Sequence, residues 1–437
     1  MKKTPGVAAP EAPLRLRIND LAAGGRGVAR APDGRVVFVA GALPGELVQA
    51  QVTRARRQYY QACTLAVLEP AGSRVAPACE LYGRCGGCDL MHLAVEAQNQ
   101  AKAAWVAAAL QRLGRPPQAE LIASPRSLGY RNRLRLQVQG GRLGFFAPDS
   151  HDLVELARCP VAAPAINRLL PSLADELRGL KDRQLTGVEL LAGQGTDSPV
   201  FLTLRLARGT RLSPGRHNRL QGLAHRAGAA GARVAVGGRV RSWPLDPQHG
   251  VVYHEGPPAM WAFPGVFCQV NFGLNRRLVQ VVRSAVREAE PGAVLDLYAG
   301  SGNFTFPLAA DGRQVVAVEA AGAAVDAARF HGRRSGLASR VRLVLGDAAR
   351  AARDLAGEGE PLAAVVLDPP RAGAKPVMPA LAELRPGRVV YVSCHAAALA
   401  RDAGMLVRAG YTMERLWVLD QFPQTGHVES VLVLRRE

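Results

Sequence analysis

Apolar and polar positions along the chain follow three different rhythms. From residue 263 onward, short apolar runs rich in β-branched residues (AVLDLYAG, RQVVAVEA, RVRLVLGD, AAVVLDPP and RVVYVSC) alternate with segments of helical spacing. That alternation predicts a doubly wound parallel sheet, an α/β fold. Two more runs, ERLWVLDQF and HVESVLVLRR, follow without a long helix between them and predict a terminal antiparallel pair. Residues 12–69 read differently. LRLRIND, the turn AAGGRGVAR and then RVVFVAGALPGELVQAQV are short strands punctuated by Gly and Pro, the pattern of a small closed or nearly closed β-barrel. Residues 70–262 are mixed, with a helical pattern at 94–113 and a strand at 130–139. In that strand Arg131, Arg133 and Arg135 share one face, and Leu134, Leu136 and Val138 the other. Three domains are therefore expected: 12–69, 70–262 and 263–437.

Composition narrows the class. The 437 residues are 48% apolar and 21% charged, enough for substantial cores. No uninterrupted apolar stretch approaches the ~18 residues of a membrane span, so no membrane association is expected. The first residues lack a signal peptide's apolar segment and read as a short disordered lead to a cytoplasmic protein. Net charge is +19, with 21 basic against 12 acidic side chains over 1–160, 13 against 7 over 161–262, and 21 against 17 over 263–437. A basic excess concentrated outside the α/β region suits a polyanion, nucleic acid above all. Two local features agree. Arg54, Arg56 and Arg57 lie next to Tyr59 and Tyr60, a pairing that suits single-stranded nucleic acid, and the row Arg131–Arg133–Arg135 reads as a phosphate track. A solvated strand end with two half-buried tyrosines is the plainer reading of the first.

The strand ends carry the candidate chemistry, because open α/β sheets bind ligands at their carboxyl edge. In DLYAGSGNFTFPLA, Gly300 and Gly302 allow a tight turn and close backbone approach, but Thr305 stands where a dinucleotide fingerprint would place a third glycine. Glu319 ends the second strand, where a carboxylate can accept from both ribose hydroxyls, and Asp347 ends the third. Polar ligands at consecutive strand ends fit an adenosine cofactor without phosphates, S-adenosylmethionine rather than NAD. LDPPRAG closes the fourth strand. Its Arg371 stands where amino-directed methyltransferases carry a stacking aromatic residue, and it has no cysteine of the kind RNA cytosine-5 enzymes place there. The next strand end holds Cys394, in VVYVSCHAAALARD. A small cysteine is an ordinary core residue, yet a thiol at the start of a helix should ionise more readily than usual.

Seven cysteines in a chain without a signal peptide argue against a disulfide framework. Three of them stand in CELYGRCGGCDL as Cys79, Cys85 and Cys88, and Cys159 in ARCP offers a fourth thiolate. Four thiolates suit a 4Fe–4S cluster or tetrahedral zinc, and the Cys-x5-Cys-x2-Cys spacing favours iron–sulfur over paired zinc knuckles.

Taken together these segments resemble the S-adenosylmethionine-dependent RNA uracil-5-methyltransferases, and within them the bacterial 23S ribosomal RNA enzymes that combine a TRAM barrel with a 4Fe–4S cluster. IND-x3-GG-x-GVAR and VAGALPGE are similar to TRAM, PGVFCQVN to an F-x-Q-x-N element, DLYAGSGNF to the cofactor loop, and LDPPRAG, YVSC and LDQFPQTGHVE complete the set. The resemblance implies a class I, Rossmann-like methyltransferase domain behind the barrel and a mixed α+β domain carrying the iron–sulfur site. It implies cofactor contacts from Gln269, Tyr298, Asn303, Glu319, Asp347 and Asp368, Cys394 as the nucleophile that adds to uracil, and Glu429 as the base. The partner it implies is RNA, ribosomal before transfer RNA, and a monomeric enzyme is expected. One departure stands out. The family continues Cys-Asn-Pro-x-Thr, whereas Cys394 is followed by His395, Ala396, Ala397 and Ala398, so a catalytically weakened RNA-binding relative is the alternative.

Overall fold

A computed structural model describes residues 10, 12–180, 182–240, 243–254, 256–358 and 362–437. Most of the expected N-terminal lead lies outside the described residues. The chain divides into two compact units. One comprises the described residues to Trp105 with Phe146–Val154 and Phe422–His427; the other comprises Val106–Phe145, Glu155–Gln421 and Val428–Glu437.

In the first unit, β1 (Leu14–Arg17), β2 (Asp20–Ala22), β3 (Arg26–Arg30), β4 (Val36–Ala40), β5 (Leu47–Ala55) and β6 (Tyr59–Glu69) form one sheet in the order β1-β5-β6-β4-β3-β2. The alternation of buried and open positions in β4 and β5 turns Val37, Val39, Val48 and Ala50 onto a shared core with Leu16 and Ile18. The sheet is curled, with β1 and β2 as its edges, where the sequence suggested a closed or nearly closed barrel. Tyr60 belongs to this core. Its hydroxyl donates to Asp33 Oδ2 at 2.8 Å, and the Arg35 guanidinium lies 4.7 Å from its ring centre. Of the two tyrosines read as stacking faces, Tyr60 is therefore buried, and Tyr59 packs edge-on against Phe38.

The helical pattern at 94–113 becomes α1 (Val95–Leu110) and a single 3-10 turn at Gln111–Leu113. Then β7 (Ala119–Ile122), β8 (Arg133–Gln139), β9 (Arg142–Phe146), β10 (Leu153–Glu155), α2 (Pro164–Arg178), β11 (Leu185–Ala192), β12 (Val200–Leu206), α3 (Pro214–Arg226), β13 (Gly231–Val236), β14 (Arg239–Val240), β15 (Val251–His254) and β16 (Met260–Ala262) follow. Strands β9-β8-β11-β12-β13-β14 lie side by side in that order, and β15 pairs with β16. Proline at the first helical position starts α2 and α3, and Ser213 caps α3 by accepting from the Arg216 amide.

The remaining elements are α4 (Phe272–Arg287), β17 (Ala293–Leu297), α5 (Thr305–Ala310), β18 (Val315–Glu319), α6 (Gly322–Ser335), β19 (Val341–Leu345), α7 (Ala348–Glu358), β20 (Leu362–Leu367), α8 (Met378–Leu384), β21 (Arg388–Ser393), α9 (Ala396–Arg408), β22 (Tyr411–Leu419) and β23 (Glu429–Arg436). The eight-stranded sheet runs β19-β18-β17-β20-β21-β23-β22-β7. Strands β17 to β21 pair in parallel, and β21, β23 and β22 pair antiparallel. Both features match the alternation read in the sequence. Strand β7, drawn from the stretch read as central, adds itself in parallel to β22. Asn271 caps α4, whose Leu278, Val282 and Val286 press on Val294, Val366, Val390 and Val433 of the sheet. Among the described residues no helix is long and apolar enough to cross a membrane.

Candidate active site

Strand order gathers the acids. Asp296 lies in β17, Glu319 ends β18, Asp347 follows β19 and Asp368 follows β20. Glu319 shapes the first loop directly, accepting from the Gly300 amide at 2.9 Å through one oxygen and from the Ala321 amide at 2.7 Å through the other. Gly300 and Gly302 have φ of 58° and 97°, and a side chain at Gly302 would fall on the Phe306 ring. Tyr298 shares the left-handed region at φ 61°, an uncommon conformation for a residue with a Cβ, held here between β17 and the glycines. Asn303 is tied by two reciprocal amide bonds to Asn275 of α4, at 2.9 and 3.0 Å. Asp347 accepts from the Arg350 amide at the start of α7.

Sequence reasoning passed over three residues that fix this site. Asp296 is buried with its Oδ2 on the Thr305 hydroxyl at 2.5 Å and its Oδ1 without a partner, and burial pushes its carboxyl up to about 7. Thr305, the residue that broke the dinucleotide fingerprint, is thus the partner of a buried acid. His331 of α6 donates from Nδ1 to the Ser301 carbonyl at 2.9 Å and accepts the Trp261 amide at Nε2, 3.0 Å. Its ring lies among Trp261, Phe263, Phe306 and Phe330, and burial lowers it to about 4, so it is neutral. Gln421 donates to Gln269 Oε1 at 3.2 Å, which leaves the Gln269 amide nitrogen to donate to Asp368 Oδ2 at 3.2 Å. Asp296 and Gln421 stood inside quoted motifs, DLYAG and LDQFPQTGHVE; no sequence signal marked His331.

Cys394 follows β21 directly. Ser393 pairs with Ser430 of β23, so the antiparallel ladder brings Glu429, the first residue of β23, to the cysteine. Glu429 is buried, its Oε1 lacks a hydrogen-bond partner, and desolvation followed by the nearby Asp368 charge pushes its carboxyl well above the usual range. Desolvation pushes Asp368 up to about 7. The Cys394 thiol is pushed up to about 12, by desolvation first and then by Glu429 and Asp368, with Arg371 acting in the opposite direction. The expectation that a helix start would ease its ionisation is overturned, because two acids and burial outweigh the helix. The changed residues after Cys394 do not cost α9 its cap: His395 accepts the Ala398 amide at Nδ1, 3.2 Å.

Acids converging on the carboxyl edge, with Asp296, Asp368 and Glu429 pushed above the usual carboxylate range for want of a counter-charge, fit a cationic ligand and disfavour a pyrophosphate. S-adenosylmethionine is such a ligand. The cysteine loop is a tightly turned segment of the first unit. The Tyr82 amide donates to Cys79 O, Cys85 to Leu81 O and Gly86 to Phe146 O. Cys159 lies in the second unit, its amide on Asn167 Oδ1 at 2.9 Å. None of the seven cysteines forms a disulfide, and among the described residues no group of three or more His, Cys, Asp or Glu side chains is assembled as a metal site. The row of arginines is also revised. Arg133 is mostly buried and bound to Glu189 at 2.9 Å, and Arg135 reaches the same carboxylate at 3.1 Å, so β8 does not present three free charges.

Known proteins match this layout along its whole length. The family profile described as tRNA (Uracil-5-)-methyltransferase matches residues 94–437, and the TRAM domain profile matches 13–63. The chain is 37% identical to the 23S rRNA (uracil(1939)-C(5))-methyltransferase RlmD of Aeromonas hydrophila, over 92% of each chain. It is 39% identical to the protein of that name from Alkalilimnicola ehrlichii, over 98% of each. The crystal structure of Pyrococcus abyssi tRNA (uracil-54, C5)-methyltransferase in complex with S-adenosyl-L-homocysteine shares the fold, with a TM-score of 0.72 at 22% identity over 96% of this chain and all of that one. With its carboxyl-edge acids and its TRAM segment, the chain belongs to the S-adenosylmethionine-dependent RNA (uracil-5-)-methyltransferases.

Proposed function

We propose that this enzyme methylates carbon 5 of a uridine in 23S ribosomal RNA, with Cys394 as nucleophile and Glu429 as base. The relatives of like length and architecture that bear the 23S name support the substrate. A ribosomal substrate supports the cytoplasmic location expected from the sequence. The observation that carries the chemistry is the ladder from Ser393 to Ser430, which sets a buried carboxyl against the only thiol at this strand end.

Uracil carbon 5 is too weak a nucleophile to be methylated directly. Addition of the Cys394 sulfur to carbon 6 moves electron density onto carbon 5. S-adenosylmethionine supplies the electrophilic methyl group, and Gln269, Tyr298, Asn303, Glu319, Asp347 and Asp368 line its place. The thiol must first lose its proton, and the pair Asp368 and Glu429 can receive it. Asp368, raised to about 7, takes that proton, and Glu429 must be in its ionised form to act as the later base. Once carbon 5 carries the methyl group, Glu429 removes its remaining proton. The electron pair returns to the ring, the carbon–sulfur bond breaks and the thiolate leaves. A stacked base cannot be reached this way, so the uridine must be looped or flipped.

Cys79, Cys85, Cys88 and Cys159 are proposed as the ligands of a 4Fe–4S cluster with a structural role, supported by the soft donor set and the tightly turned loop. Zinc is the second reading, and anaerobic iron, sulfide and zinc analysis separates the two. Mapping 5-methyluridine in 23S ribosomal and transfer RNA from cells with and without the gene tests the substrate. Loss of one ribosomal site is expected; loss of a transfer RNA site alone overturns the assignment.

A further inference from the structure

We propose that the face of the central sheet around Gly187 binds a backbone phosphate of the RNA, with Arg135 and Arg205 as its cationic walls. This rests on the RNA reading above and adds a site to it. The ladder registers put Arg135, Glu189, Thr203 and Arg233 side by side across β8, β11, β12 and β13. The next row on the same face, two residues along, is Gln137, Gly187 and Arg205. Arg133 lies one row further on the other side, level with Leu191. Glu189 is the one carboxylate among these positions, against four arginines.

That carboxylate is already committed, to Arg133 at 2.9 Å and to Arg135 at 3.1 Å. Arg233 is buried and turns its Nη1 to the Pro264 carbonyl. Arg205, half-buried, is held below the usual arginine range by desolvation and then by repulsion from Arg135. Guanidinium charge gathered in partly desolvated surroundings is unfavourable until an anion joins it. Thr203 adds a buried hydroxyl with no hydrogen-bond partner. Gly187 leaves the centre of the row without a side chain, between the exposed Arg135 and the half-buried Arg205. Planar guanidiniums on either side of a row with no central side chain match the oxygens of a phosphodiester.

The test is RNA affinity as a function of salt, for the full-length holoenzyme and for Arg205→Gln, Gln137→Glu and the exposed helix variant Arg219→Gln. Arg205→Gln should weaken RNA binding about tenfold at low salt, the scale of one charge-assisted hydrogen bond. It should also reduce the slope of log K against log salt by about 0.7, one phosphate contact on a single strand. Gln137→Glu, which keeps every ion pair and adds an anion to the patch, should weaken binding at least as much; Arg219→Gln should match the wild type. Wild-type affinity and slope in both Arg205→Gln and Gln137→Glu, or an equal loss in Arg219→Gln, would overturn the site. A parallel arm measures thermal stabilisation by tripolyphosphate. Stabilisation of the wild type but not of Arg205→Gln, in an enzyme that neither binds nor methylates RNA, keeps the anion site and removes the RNA reading. The same stabilisation with an unchanged RNA salt slope makes it a site for free phosphate and overturns the RNA assignment.

Discussion

Glu429 reaches Cys394 because Ser393 faces Ser430 across the one antiparallel ladder that joins β21 to β23. The cysteine directly follows a parallel strand and the glutamate begins the returning one, so a single register sets both. A slip of one residue would turn Glu429 to the opposite face. Glu429→Gln keeps the shape but cannot take the carbon 5 proton. The expected result is a methylated RNA–protein adduct that accumulates on a denaturing gel, with turnover down at least 100-fold.

The thiol, pushed up to about 12, makes the first step depend on base. Because the Asp368 carboxyl, pushed up to about 7, takes the thiol proton, the rate of adduct formation should rise with pH up to about 7 and level off above it. A pH profile measured in single turnover checks this; a continued rise close to tenfold per pH unit up to about pH 9 would mean that the thiolate forms without the acid pair.

Asp296 carries a stability signature. Its carboxyl is raised from the usual value to about 7 in the folded protein, so the folded state binds the proton more tightly than the unfolded chain. Its contribution is therefore present at pH below the unfolded value and lost as pH rises through about 7. Urea unfolding of the ligand-free protein should show Asp296→Asn gaining on the wild type between pH 5 and 8.

His331 holds the Ser301 carbonyl and the Trp261 amide with a neutral ring. His331→Phe preserves an aromatic of similar size and leaves both backbone groups unsatisfied, at about 1–3 kcal/mol each. The KM for S-adenosylmethionine should rise about tenfold or more, with a smaller change in kcat. Equal KM and a lowered Tm would show that the histidine serves only packing.

Much of this was legible in the sequence. The alternation of apolar runs foretold the parallel sheet and its antiparallel end, and strand ends located the acids and the cysteine. What escaped depends on partners distant in the chain. Arg133 and Arg135 alternate as a track would, but Glu189 lies 56 and 54 residues away, and nothing local announces that it will claim them. Likewise β7 is an unremarkable short run whose place beside β22 is set by packing. The helix start after Cys394 was visible, whereas the two carboxyls that govern its thiol come from β23 and the loop after β20. His331 lies in an arginine-rich helix, and its role appears only once the Ser301 loop folds over it.

The central claim is that Cys394 bonds covalently to the target base. RNA carrying 5-fluorouridine offers no removable proton at carbon 5, so the adduct cannot resolve. Incubation with S-adenosylmethionine and this RNA, followed by peptide mass spectrometry, should find the methylated fluorouridine on Cys394 and no adduct in Cys394→Ala. Full methylation of ordinary RNA by Cys394→Ala, or an adduct mapped to another residue, would contradict the account.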